Sequence, residues 1–167
     1  AHTPDALRTT LKTLKEHYNI KPIVVFGCGG QRDKKKRPIM AKVCEKNAKK
    51  IYVTDDNPRN ENPKLIRQMI LSGFSRKLVI TEIPLRAKAI ETAIIKSKPS
   101  SIVLIAGKGH ETIQTYGKKI RTFFTRVFLT GTLVESTGKV RCAIMIFLRW
   151  ICRAPFCSFS RPLGGYL

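Results

Sequence analysis

The chain has 167 residues, enough for one domain with a real core and too few for two ordinary ones. Hydrophobic residues make up 43%, which excludes wholesale disorder, and 32 Lys+Arg against 11 Asp+Glu give a formal +21 that makes carboxylates and phosphates the natural partners of the surface. The five cysteines include no C-x-x-C pair and none has a His at zinc-finger spacing, so neither a disulfide framework nor a metal site is expected; an odd count with no leader segment points to reduced thiols in a cytoplasm.

Thr3, Pro4 and Asp5 supply an N-cap, a proline for the first helical position and an early acid, so a helix opens here with Leu7, Leu11, Leu14 and Tyr18 in one apolar stripe. The β-branched run Ile23 to Phe26 reads as a buried strand feeding Gly27-Cys28-Gly29-Gly30. A second helix is expected from Pro38, with Met40, Val43, Cys44 and Ala48 inward. The strand Ile51 to Thr54 leads into the polar loop Asp55-Asp56-Asn57-Pro58-Arg59. The next helix starts near Pro63, carries Leu65, Ile66, Met69 and Ile70, and stops at Gly73 as its C-cap. Leu78 to Ile80 reads as a strand. Pro84 opens a helix with Ala89, Ile90, Ala93 and Ile94 on one face, and Ile102 to Ala106 is a strand running into Gly107-Lys108-Gly109-His110-Glu111. Thr112 to Tyr116, a Gly117-Lys118 turn and Lys119 to Phe124 read as a hairpin.

From about Thr125 the character changes. The segment 125–167 holds one acid (Glu135), the only Trp (Trp150) and three of the five cysteines, with no defensible periodicity. The chain therefore divides into a patterned domain, 1–124, and an atypical tail, 125–167, of the kind a non-native or disordered terminus would show. The apolar run at 142–152 is interrupted by Arg149 and is about half of the ~20 residues that a membrane-spanning helix needs, so no membrane partner is expected.

Continuous apolar strands separated by amphipathic helices predict an α/β fold: a Rossmann-like, mostly parallel sheet with helices on both faces. Ligands of such sheets bind outside the carboxyl ends of the strands, so the three polar loops are expected to share one edge. The first loop has glycines that admit a close ligand and then Arg32, Asp33 and a Lys34-Lys35-Lys36-Arg37 run, which serves equally as a tight turn and a solvated basic stretch. It carries neither G-x-x-x-x-G-K-[ST] nor G-x-G-x-x-G. In the second loop, Pro58 stiffens the backbone and keeps Asn57 out of the helical region, while Arg59 offers a planar fork for a carboxylate or phosphate. The same residues would also make an ordinary helix-capping turn. In the third, Glu111 suits a ligand ammonium. His110 lacks a partner for metal binding, and a lone His is more often structural. An Arg that wants a carboxylate and a Glu that wants an ammonium describe an amino-acid pocket.

These motifs together resemble a known family. Thr3-Pro4-Asp5, Phe26 to Gly30 with Arg32-Asp33, Lys36-Arg37-Pro38, Thr54 to Arg59 and Ala106 to Glu111 are similar, in order and spacing over residues 1 to about 124, to the C-terminal domain of Mur ligases of the branch that adds meso-diaminopimelate to a peptidoglycan precursor. Asp-Asn-Pro-Arg is that branch's diaminopimelate-recognition motif. The resemblance implies that Arg32, Asn57, Arg59, Gly107 and Glu111 contact meso-diaminopimelate, that Asp56 and Pro58 shape the loop, and that His2 lies on the ATP side. It implies ATP and Mg2+ as cofactors of the whole ligase, bound mainly by a central domain, and UDP-MurNAc-L-Ala-D-Glu as co-substrate, whose carboxylate becomes an acyl phosphate attacked by the diaminopimelate amine. The N-terminal and central domains of that family are not recognisable here, so the chain is expected to contain no catalytic residue and to be inactive alone. The competing readings are a basic nucleic-acid-binding module and an inactive truncated relic. Against the first, aromatics are 8% of the chain and do not interleave with the Lys run.

Overall fold

The computed structural model describes residues 2–75, 80–98, 101–108, 111 and 113–122, with the backbone alone at 133–134, 140–141 and 144–145. Thr3 caps the first helix, its Oγ1 accepting from the Ala6 amide at 3.2 Å, and α1 runs Pro4–Tyr18. Leu7, Leu11 and Leu14 are buried as their spacing demands, whereas Tyr18 is exposed because Asn19 already turns the chain left-handed (φ 52) and ends the stripe. Strand β1 (Ile23–Phe26) follows, then α2 (Lys36–Asn47), β2 (Lys50–Val53), α3 (Pro63–Leu71), β3 (Ile80–Glu82), α4 (Arg86–Ile95) and β4 (Ile102–Ile105). The hairpin β5 (Ile113–Tyr116) and β6 (Lys119–Thr122) comes next, with Gly117-Lys118 at its turn.

Several boundaries differ from the sequence expectation for local reasons. Helix α2 opens two residues before Pro38, since the Asp33 carboxylate accepts from the Lys35 amide at 2.9 Å and turns the chain early. Helix α4 opens two residues after Pro84, whose carbonyl is held by the Asp55 amide at 3.2 Å and by Thr54 Oγ1 at 3.1 Å. Ser72, not Gly73, caps α3. In α3 the buried positions are Ile66, Arg67 and Ile70, while Leu65 faces solvent. Strand β3 begins where the sequence expectation ended, at Ile80; of the expected strand, Leu78 and Val79 lie outside the described residues.

With β9 (Ile144–Met145) at its edge, the sheet has the order β3-β2-β1-β4-β9, all pairs parallel. Side chains alternate between its faces. Val24, Phe26, Ile51, Val53, Ile102 and Leu104 pack under α1, α2 and α3, and Ile23, Val25, Tyr52, Val103 and Ile105 meet Ala89, Ile90, Ala93 and Ile94 of α4. Of the segment 125–167, β7 (Leu133–Val134) and β8 (Val140–Arg141) pair antiparallel, and β9 (Ile144–Met145) lies along β4. The remainder of that expected tail lies outside the described residues. Among the described residues no helix is long and apolar enough to cross a membrane.

Candidate functional site

Parallel connectivity delivers the loops after β1, β2 and β4 to one edge of the sheet, where they interlock. The Gly30 amide donates to the Asn57 carbonyl at 2.8 Å, and Arg59 Nη1 donates to the Gly30 carbonyl at 2.9 Å. A methyl group on Gly30 would sit 1.8 Å from the Pro58 oxygen, so only glycine allows this approach. Gly30→Ala is accordingly expected to destabilise the chain by about 3 kcal/mol, the upper end of overpacking costs. A urea-unfolding loss below roughly 0.5 kcal/mol, the range of an ordinary surface substitution, would show that the two loops do not close in this way.

The hairpin braces the second loop from the other side. Gln114 Nε2 donates to the Asp56 carbonyl at 2.7 Å, the Thr115 amide to Asn57 Oδ1 at 3.0 Å, and the Arg59 amide to the Thr115 carbonyl at 2.9 Å. Held between β5 and the first loop, Arg59 adopts a left-handed backbone (φ 53). That conformation costs a residue with a Cβ about 1–2 kcal/mol, which these contacts offset.

The third loop contributes a buried ammonium. Lys108 is 1% exposed; its Nζ lies 2.6 Å from Asn57 Oδ1, 3.1 Å from Glu111 Oε2 and 3.7 Å from Asp56 Oδ1, and it also donates to the Ile113 carbonyl. Asn57 Nδ2 donates to the same Glu111 oxygen at 2.9 Å. Burial alone would raise the Glu111 carboxyl, but the Lys108 bond and charge, with Asn57 and His2, outweigh it and hold Glu111 below the usual carboxylate range. At the rim, enclosure pushes the His2 imidazole below its ordinary value, against the pull of Asp56 and Glu111. The Cys28 thiol is pushed up to about 12, by burial first and then by Asp56, so it is no nucleophile.

Together these loops wall a cleft of about 340 Å³. Of the residues singled out in the sequence, His2, Arg32, Asp56, Asn57, Arg59 and Glu111 line it, joined by Lys36 and Met40. Pro58 and Gly107 are not among its lining residues. Pro58 backs onto Gly30, and Gly107 (φ 94) packs against the Asp56 carboxylate. Gly109 and His110 lie outside the described residues.

Sequence reasoning missed Lys108 and Gln114, and it offered the Lys34 to Arg37 run as a solvated stretch. Arg37 is instead fully buried, its Nη2 2.9 Å from Glu61 Oε2 and 3.2 Å from the Gly29 carbonyl. The signal for it was its place in the Lys36-Arg37-Pro38 run that matches the family pattern. A wider groove of about 640 Å³ opens at the opposite, amino end of the strands among Lys21, Lys42, Lys46, Lys49 and Lys50. It shares no residue with the three loops, and its one acid among the described residues, Glu45, accepts from the Ser75 amide at 3.0 Å.

A family model described as "Mur ligase, glutamate ligase domain" matches residues 1–109. The UDP-N-acetylmuramoyl-L-alanyl-D-glutamate--2,6-diaminopimelate ligase of Buchnera aphidicola subsp. Acyrthosiphon pisum is 53% identical over 111 residues, 66% of this chain and 22% of the relative. The ligase of the same name from Coxiella burnetii is 50% identical over 123 residues, 74% of this chain and 25% of the relative. A solved structure of a ligase of that name superposes with a TM-score of 0.71 at 41% identity, covering 76% of this chain and 26% of the other. The chain thus spans about a quarter of the length of the curated relatives it matches.

Proposed function

Since the chain belongs to the Mur ligase family, through the glutamate ligase domain, we propose that its cleft holds meso-diaminopimelate as the incoming amine of an ATP-dependent, amide-forming ligase that extends UDP-MurNAc-L-Ala-D-Glu in peptidoglycan synthesis. One observation carries the reading: Arg59 and Glu111, of opposite charge and from different loops, line the same cleft with Asn57 between them. The distal end of meso-diaminopimelate is a zwitterion, lysine with one more carboxylate. Arg59 and Asn57 take the carboxylate, Glu111 takes the ammonium, and Arg32 binds a carboxylate. Asp56 lines the floor, with Pro58 and Gly107 packed behind the lining.

The domain's share of the reaction is positional. Gripping the distal end leaves the other amine directed at the activated carboxyl of the second substrate, an orientation effect. The whole ligase's ATP and Mg2+ find no fitting site among the described residues. Among the described residues no three His, Cys, Asp or Glu side chains gather to hold a metal ion, and the sequence has no G-x-x-x-x-G-K-[ST] run. On this reading both are held by parts of the ligase outside this chain, with His2 on the nucleotide side. The setting is cytoplasmic, where the free, buried thiols of Cys28 and Cys44 stay reduced.

Lysine in the same cleft would desolvate Arg59 without pairing it, which is worth roughly tenfold or more against it. Calorimetric titration of the 167-residue chain with meso-diaminopimelate and L-lysine, at low and high salt, tests this. The diaminopimelate preference should survive high salt; equal affinities at both salts would sink the proposal. A nucleic-acid reading draws on the +21 charge and the lysine groove, yet among the described residues no aromatic side chain lines that groove to stack a base.

A further inference from the structure

Lys108 is a fully buried charge directly beneath the residues of the cleft. Its side chain is 0% exposed, although an ammonium resists leaving water unless it is fully paired. Its three protons are matched by Asn57 Oδ1, Glu111 Oε2 and the Ile113 carbonyl, with the Asp56 carboxylate just beyond. A terminal amide can normally rotate to exchange its oxygen and nitrogen. Here Asn57 Oδ1 accepts from both Lys108 Nζ and the Thr115 amide, so a flipped amide would aim its NH2 at an ammonium and an N–H. Asn57 therefore presents only a donor toward the cleft, which suits a carboxylate and repels an ammonium. Both donors to Glu111 land on Oε2, directing a ligand ammonium to Oε1.

We propose that Lys108 is the positioning residue behind the ligand preference: buried beneath the cleft, it fixes which way Asn57 and Glu111 face, and so sets a carboxylate site beside an ammonium site. This rests on the diaminopimelate reading above. Removing the ammonium leaves Asn57 Oδ1 with the Thr115 amide as its one remaining donor, so the side-chain amide is held less firmly and turns its oxygen to the cleft more often, and it leaves the Asp56 and Glu111 charges less compensated. Both changes disfavour the ligand's extra carboxylate and tolerate lysine's ammonium.

The test is Lys108→Met in the 167-residue chain, titrated with meso-diaminopimelate and with L-lysine, and followed by NMR of the Glu111 carboxyl as pH falls. Diaminopimelate affinity should drop about tenfold or more, the loss of a charge-assisted bond network, while lysine affinity stays level or rises. A role in folding alone would weaken both ligands alike, and that result overturns the proposal. Glu111 is faced by Lys108 and Asn57, by His2 and, through charge, by Arg86. Its depressed carboxyl titration contributes stability present above the unfolded value and lost as pH falls through the folded one. Without Lys108 that acid limb should move to higher pH. An unmoved Glu111 titration overturns the proposal whether or not any ligand binds, whereas absence of diaminopimelate binding to the unaltered chain strikes only the functional reading. Should Lys108→Met not fold, Lys108→Gln keeps a donor for Asn57 without the charge, and the same upward move of the Glu111 limb is required of it.

Discussion

Arg59→Met is expected to weaken meso-diaminopimelate binding roughly a hundredfold while leaving L-lysine binding nearly unchanged. Two contacts are lost together, and their sizes decide which one is read. The bond from Nη1 to the Gly30 carbonyl, 2.9 Å long, is an ordinary structural hydrogen bond to a neutral acceptor, worth about 0.5–1.5 kcal/mol. Truncating one member of a desolvated charge pair costs about 2–5 kcal/mol, because the ligand carboxylate is then stranded. The ligand effect therefore dominates. Lysine, with no distal carboxylate, loses only the smaller structural part, and relief from desolvating an unpaired guanidinium offsets it. Methionine keeps a side chain of similar reach and the same left-handed backbone demand at φ 53, so the substitution isolates the guanidinium. Parallel losses for both ligands would mean that Arg59 only ties the loops together. Calorimetry on the two ligands makes the comparison directly.

The largest stability loss is expected away from the cleft, at Arg67→Met. Arg67 leaves α3 with 8% of its side chain exposed and donates from Nη1 to Asp55 Oδ1, whose side chain is 6% exposed, and from Nε to Glu82 Oε1 at 2.6 Å. Tyr116 Oη donates to the other Asp55 oxygen at 3.1 Å, and burial followed by the Asp55 charge pushes that phenol up to about 12. Glu82 is 37% exposed and water can replace its partner, so it adds little. Asp55 cannot be rehydrated in place. Removing Arg67 leaves its carboxylate buried on one neutral hydrogen bond, at a cost of about 3–5 kcal/mol. Urea denaturation should show the loss, and the double variant Asp55→Asn with Arg67→Met should recover much of it by removing the orphaned charge. If the double variant is as unstable as the single, packing of the Arg67 stem, and not the ion pair, holds this corner together.

Much of the scaffold was legible because its signals are local. Leu7, Leu11 and Leu14 repeat at the helical period, Ile23 to Phe26 and Ile102 to Ile105 are unbroken apolar runs, and each polar loop follows such a run. The common edge of the three loops followed from parallel connectivity alone. What escaped were polar residues whose burial depends on distant partners. Arg37 looks like one more member of a basic run, and only Glu61, 24 residues on, makes it a buried strut. Lys108 sits between glycines, as a mobile loop lysine would, and its partners come from two other segments. Gln114 reads as an ordinary polar position of a hairpin strand until Asp55 and Asp56 offer it their carbonyls. Strand β3 runs later than its apolar residues suggest, because Thr81 and Glu82 are not apolar and yet pair with Tyr52 and Val53.

The way Asn57 is held has a kinetic consequence. Its side chain joins positions 51, 54 and 58 residues away in sequence, at Lys108, Glu111 and Thr115. Each of those links must close a long stretch of chain before it returns any free energy. The β1-α2, β2-α3 and β3-α4 units can assemble from nearer neighbours first, so the recognition surface is expected among the last parts to form during refolding and among the first to open under denaturant. A ligand that bridges these segments would slow that opening, giving the chain a longer lifetime in its presence than the framework alone provides.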